Sequence, residues 1–185
     1  MARTPSTMVQ LGTTAPAFSL PDVRSGNTFV FPEQTTPKAT LIMFICNHCP
    51  FVKHVWDELV SLGNEYTAKG ISIIAISSND AVQYPADSPE EMKILAEQTN
   101  LAFPYLYDES QDVAKSYDAA CTPDFFIYDD ANKLAYRGQL DDSRPGNEIP
   151  VTGKDIRAAL DALLSGLAVS KEQRASLGCN IKWKA

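Results

Sequence analysis

Two stretches of the chain are apolar without a break, Thr40–Cys46 (TLIMFIC) and Ile71–Ser77 (ISIIAIS). Continuous rather than alternating apolarity marks strands buried on both faces, as in a parallel sheet covered by helices. Between them, Phe51, Val55, Leu59, Leu62 and Tyr66 recur at three- and four-residue steps, while Lys53, Asp57 and Glu58 fall on other faces. That spacing predicts an amphipathic helix over 51–69, stopped by Gly70, and so a βαβ unit. Upstream, Ala17–Leu20 and Thr28–Phe31 flank Ser25-Gly26-Asn27 and predict a short hairpin, with residues 1–15 a loose lead-in.

Ser88-Pro89-Glu90-Glu91 combines a cap, a first-turn proline and a capping-box acid, predicting a helix that runs to Asn100. Tyr105–Tyr107 reads as a short strand and Ser110–Ala120 as a helix. Asp124–Tyr128 and Lys133–Gly138 read as a hairpin across Asp129–Asn132. Thr152 with Asp155 opens a helix to Ser165 that carries Ile156, Ala159, Leu160 and Leu163 on one stripe. Ser170 with Gln173 predicts a shorter helix ending at Gly178. The order specifies an α/β fold: a central mixed β-sheet with helices on both faces and an N-terminal β-hairpin. No repeat or linker divides the chain, and its 185 residues form one domain, 1–185.

Composition removes several function classes. Sixteen basic residues against 23 acidic ones, net −7, argue against nucleic acid and against an anionic membrane surface as partners. No run approaches the ~20 apolar residues a bilayer requires. The first twenty residues lack the apolar segment of a signal peptide, so a cytoplasmic location is expected. In such a chain four cysteines (Cys46, Cys49, Cys121 and Cys179) point to catalysis or metal binding rather than to a disulfide framework.

Cys46-Asn47-His48-Cys49 lies where the first buried strand meets the long helix. At the helix N-terminus, unpaired N–H groups and the macrodipole would draw the Cys46 thiol into a range of roughly 3.5–7.5. Cys49, three residues on, would resolve a mixed disulfide formed at Cys46. His48 would add positive charge or a hydrogen bond near the Cys46 sulfur, with Asn47 beside it in the loop. The rival chemistry is a zinc-binding interaction module, with Cys46, Cys49, His48 or His54 and a distant cysteine as ligands. A structural zinc site would show a second closely spaced ligand pair, which the sequence lacks. No cofactor is implied.

These features resemble the thioredoxin-like superfamily, in its peroxiredoxin-like branch related to alkyl hydroperoxide reductase and thiol-specific antioxidant proteins. Gly12-Thr-Thr-Ala-Pro-Ala-Phe-Ser-Leu-Pro21 matches that branch's G-x-x-A-P-x-F-x-L opening. Cys46–Pro50 occupies the active-site loop, and Thr122-Pro123 stands before the strand Asp124–Tyr128. The resemblance implies a thioredoxin-like fold and a thiol-disulfide oxidoreductase whose partner is a redox protein or a small thiol. It implies as an alternative a thiol-dependent peroxide reductase, with Cys49 peroxidatic, Cys46 resolving and a hydroperoxide as substrate. Pro123 is then cis, packed with Thr122 beside the cysteine pair, its backbone edge open to an extended substrate.

The chain also departs from the branch. The P-x-x-x-T-x-x-C pattern finds Ile42 and Cys46 when aligned on Cys49, and Ala39 and Met43 when aligned on Cys46. CTPDFFI stands where an arginine is expected, and Ile45 replaces thioredoxin's tryptophan. Without threonine and arginine to polarise the O–O bond, fast peroxide reduction is disfavoured. Arg137 reads as a surface or strand-end residue. The loop 139–151, with Asp141, Asp142 and Arg144, is expected at the active-site rim, shaping partner choice. Cys121 and Cys179 are candidates for a second disulfide or redox relay.

Overall fold

The computed structural model describes residues 3–35 and 38–185. At its centre lie β4 (Thr40–Phe44), β5 (Ser72–Ser77), β6 (Tyr105–Tyr107), β8 (Asp124–Tyr128) and β9 (Leu134–Gly138), in the spatial order β6-β5-β4-β8-β9. β4, β5 and β6 run parallel, while β8 and β9 are antiparallel to their neighbours. The sheet is thus mixed, and its parallel half is the unit the unbroken apolar runs announced.

Two cores explain those runs. Leu41, Met43, Ile73, Ala75, Phe125 and Ile127 face one side, under α1 (Pro50–Ala68), α2 (Pro89–Gln98) and α4 (Lys154–Leu164). Ile42, Phe44, Ile74, Ile76, Phe126 and Tyr128 face the other. There they meet α3 (Asp112–Ser116) and the hairpin of β2 (Phe18–Pro21) and β3 (Thr28–Phe31). The runs in β4 and β5 are therefore apolar on consecutive positions because both faces of these strands are covered. Burying one such side chain contributes about 1.5–3 kcal/mol.

α1 starts with Pro50 at its first position, where a missing N–H costs nothing. It ends in a Schellman turn: Gly70 sits at φ +85°, its N–H bonds the Thr67 carbonyl, and the Ile71 N–H bonds that of Tyr66. Ser88 caps α2 as the sequence predicts, accepting the Glu91 N–H at 3.3 Å.

Four expectations change. The lead-in is not loose where it is described: β1 (Arg3–Pro5) pairs with β10 (Leu177–Asn180), which in turn pairs with β7 (Cys121–Thr122). The helix expected over 110–120 is reduced to α3, and β7 follows it. α4 begins one residue after Gly153, not on a Thr152 cap; the Thr152 and Gly153 N–H groups both donate to Asp141 Oδ2 at 2.7 Å. No helix forms over 170–178. Gln173 instead accepts the Arg137 N–H and donates to the Ala135 carbonyl, tying this segment to the edge of β9. Tertiary pairing with an open strand edge has overridden a local capping signal.

No helix among the described residues is long and apolar enough to cross a membrane.

Candidate active site

Beyond β4 the chain crosses Ile45 and enters Cys46–Cys49 before α1 begins. Cys49, not Cys46, is the N-cap of α1, so the expectation that Cys46 sits at the helix N-terminus is corrected. Pro50 fixes the first helical residue, which leaves the whole Cys46–His48 segment in the preceding loop.

What holds that loop is Asp87, a residue the sequence reading did not single out. Its carboxylate has no solvent exposure. Oδ1 accepts the Asn47 N–H at 2.8 Å and the His48 N–H at 3.0 Å. Oδ2 accepts the Asn79 amide at 2.8 Å and lies 2.5 Å from His48 Nδ1. The loop N–H groups expected to serve the Cys46 sulfur are thus committed to a carboxylate. His48 Nδ1 is 3.9 Å from the Cys46 sulfur, and its ring stacks on Tyr84 at 5.1 Å. Asn47 Oδ1 accepts the Tyr105 hydroxyl at 3.1 Å.

Thr122 and Pro123 close the site from the far side of β4, joined by a cis peptide bond as the resemblance implies. Thr122 Oγ1 is 3.5 Å from the Cys46 sulfur, and the Thr122 carbonyl accepts the Cys49 thiol at 3.2 Å. Both sulfurs are buried.

The two thiols differ in acidity, opposite to expectation. Cys46 is held well above the ordinary thiol range by its hydrogen bond with Cys49, by burial and by the Asp87 charge. Cys49 is brought down to about 4, chiefly by the hydrogen bond from Cys46, with further help from Cys179 and Thr122, against the cost of burial. Of the two, Cys49 is the more acidic: as a thiol it donates to the Thr122 carbonyl, and as a thiolate it accepts from the Cys46 thiol.

Cys179, on β10, belongs to the site; Cys121 stands opposite Asn180 in the β7–β10 register, and its thiol bonds the Pro123 carbonyl at 3.7 Å. Burial pushes the Cys121 thiol up, with the Asp124 charge adding to it. The backbone edge expected open beside Pro123 is filled, because β10 pairs along β7 and Ser176 Oγ donates to the Pro123 carbonyl at 2.7 Å.

The loop 139–151 lies against the first turns of α1, with Ser143 Oγ 2.7 Å from His54 Nε2. Its charged residues brace the loop and the segments beside it. Asp141 anchors the start of α4, Asp142 pairs with Lys154 and Arg174, and Arg144 donates to the Asp141 and Ser143 carbonyls and to Gln139. Arg137 is not at the surface. It is fully buried, pairs through both terminal nitrogens with Asp124, and lies 3.7 Å over the Phe126 ring. It therefore cannot stand in for the arginine missing beside the cysteines.

Among the described residues, Cys46, His48 and Asp87 are the one set of three cysteine, histidine or acidic side chains whose ligand atoms all lie within 4.8 Å of one another. The donor set fits a metal poorly. Four hydrogen bonds already use the lone pairs of Asp87, and a cation would displace N–H donors from both oxygens. His54, a candidate zinc ligand, is instead bonded to Ser143.

The sequence pattern of the AhpC/TSA family matches residues 11–137. No curated protein matches the chain. Among solved structures, an uncharacterized conserved protein from Geobacillus kaustophilus is 61% identical, with TM-score 0.97, covering 100% of this chain and 97% of that one. A hypothetical protein from Sinorhizobium meliloti 1021 is 47% identical, with TM-score 0.96, covering 98% and 99%. The thioredoxin domain of a thiol-disulfide oxidoreductase from Bacteroides vulgatus, 21% identical, shares the fold at TM-score 0.59, covering 74% of this chain and 91% of that one.

Proposed function

Because the chain belongs to the AhpC/TSA family, whose chemistry is thiol-based redox, we propose that it exchanges a Cys46–Cys49 dithiol with the disulfide of a small thiol or a redox protein. One observation carries this reading: two hydrogen-bonded, buried cysteines of opposite acidity, set between the α1 N-terminus and Thr122-Pro123. The Cys49 thiolate attacks one sulfur of the substrate disulfide and expels the first thiol. Cys46 then attacks the Cys49 sulfur, its proton passing to the substrate sulfur that departs. The second thiol leaves, and the Cys46–Cys49 disulfide remains.

This assignment reverses the roles that the sequence suggests. Cys49, at the helix N-cap, becomes the attacking sulfur, and Cys46 resolves. With β10 covering the edge beside Pro123, a small disulfide fits the site better than an extended strand. In a cytoplasmic setting, where thiols are kept reduced, the resting form is the dithiol and the protein acts as a reductant.

Peroxide reduction at Cys49 uses the same thiolate but needs a cation to polarise the O–O bond. The side chains bonded to the two sulfurs are His48, Thr122, Cys179 and the cysteines themselves, while Arg137 is committed to Asp124. Mixing the reduced protein with glutathione disulfide or with hydrogen peroxide at equal concentration separates the two readings. Cysteines are mapped by alkylation and mass spectrometry at successive times. The Cys46–Cys49 disulfide is expected to form faster with glutathione disulfide. Faster formation with peroxide would overturn disulfide exchange as the principal activity.

A further inference from the structure

The edge beside the cis proline is where the resemblance seats an extended substrate, and here the protein's own C-terminal strand lies in that place with a cysteine on it. We propose that β10 is a built-in substrate strand: Cys179 attacks Cys49 within the Cys46–Cys49 disulfide, giving a Cys49–Cys179 disulfide and releasing Cys46 as a thiol. This rests on the reading of Cys46 and Cys49 as the redox pair.

Register places the sulfur. Cys179 stands directly opposite Thr122, and directly opposed residues in an antiparallel pair emerge on the same face. That face is the one where Thr122 touches the Cys46 sulfur, while its carbonyl takes the Cys49 thiol. Cys179 is buried in the same apolar cluster as Cys46 and Cys49, and its side chain hydrogen-bonds Cys49. Cys49 is bonded to both Cys46 and Cys179. It therefore links the two, an arrangement suited to handing a disulfide along.

The strand is built to stay there. Gly178 leaves room for the close approach, since a Cβ at that position would overlap the Thr122 carbonyl. Ser176 is bonded to both Pro123 and Ser6 on one side of Cys179. On the other side, the Lys182 N–H donates to Asn79 Oδ1 at 2.8 Å, and the Asp80 N–H donates to the Lys182 carbonyl. Asn79 also holds Asp87, so the segment that carries Cys179 and the loop that carries Cys46 share one hydrogen-bond network.

The step is an isomerisation with no net oxidation. The Cys179 thiol loses its proton as its sulfur bonds Cys49. The Cys46–Cys49 bond breaks, and Cys46 leaves as a thiolate that takes up the proton. Burial pushes the Cys179 thiol up, so the transfer is slower than the first exchange. Its product keeps the oxidised Cys49 inside a covered disulfide while Cys46 is again a thiol.

The test uses Cys46→Ser, with Cys46→Ala run beside it in case serine disturbs folding. The reduced variant is treated with glutathione disulfide and its cysteines are mapped. The expected result is joint loss of alkylation at Cys49 and Cys179, with the two peptides linked, and adding Cys179→Ser should leave glutathione held on Cys49. Glutathione retained on Cys49 while Cys179 stays fully alkylatable in Cys46→Ser and Cys46→Ala would overturn the inference and leave the redox pair standing. Absence of glutathione from Cys49 in the double variant would instead overturn the redox pair, and the relay with it.

Discussion

Cys49→Ser should take disulfide exchange to background, a loss of about 10³-fold or more, or ~4 kcal/mol of barrier. The physical reason is the state of the sulfur. An ordinary cysteine is only a few per cent thiolate at about pH 7, whereas Cys49, brought down to about 4, is almost wholly ionised there. The sign is testable. A lowered thiol keeps its reactive form as pH falls until the medium reaches its own pKa. Alkylation of Cys49 by iodoacetamide should therefore hold nearly constant down to about pH 5 and fall about tenfold per unit once the pH is below about 4. Replacing Cys46 by a residue without a donor removes the hydrogen bond that contributes most to this shift, so the Cys49 profile should move to higher pH in Cys46→Ala.

Arg137→Met should be the most destabilising single change outside the site. Arg137 and Asp124 are both fully buried, and removing one member of a buried ion pair leaves the other charge without its partner. Such losses cost about 3–5 kcal/mol, which for a chain of this size lowers Tm by roughly 10 °C. Adding Asp124→Leu should recover most of the loss, because the pair itself is offset by its desolvation. Acidity supplies a second readout. Burial already raises the Asp124 carboxyl above its ordinary value despite Arg137. A raised acid favours the folded state below its unfolded pKa and loses that contribution as pH climbs through the folded value. Without Arg137 the rise is larger, so the deficit of Arg137→Met in thermal melts should be greatest near neutral pH and shrink toward about pH 4.

Much of the frame can be read from the residues. The unbroken runs at 40–46 and 71–77 and the stripe on 51–69 give β4, α1 and β5, since two-sided burial and helical periodicity are local signals. The pairing of Cys46-x-x-Cys49 with Thr122-Pro123 gives the corner of the site. What escapes is non-local. Asp87 lies in Asp-Ser-Pro-Glu-Glu, where its neighbours signal a helix start and nothing marks it as the anchor of a loop forty positions earlier. Cys179 becomes a partner of Cys49 only through the β7–β10 register, which a short strand near the C-terminus does not declare. Ser170 and Gln173 have the right spacing for a cap, but the open edge of β9 claims Gln173. Arg137 could have been suspected, because a charge within an otherwise apolar strand needs a buried partner and Asp124 opens the adjoining arm of the same hairpin.

The order of attack is the centre of the account, and trapping the first covalent intermediate tests it most directly. In a Cys179→Ser background, Cys46→Ser and Cys49→Ser are each reduced, exposed to glutathione disulfide and mapped by mass spectrometry. The account predicts a stable glutathione mixed disulfide on Cys49 in the first protein and an unmodified Cys46 in the second. Glutathione on Cys46 in the second, with Cys49 unmodified in the first, would contradict it.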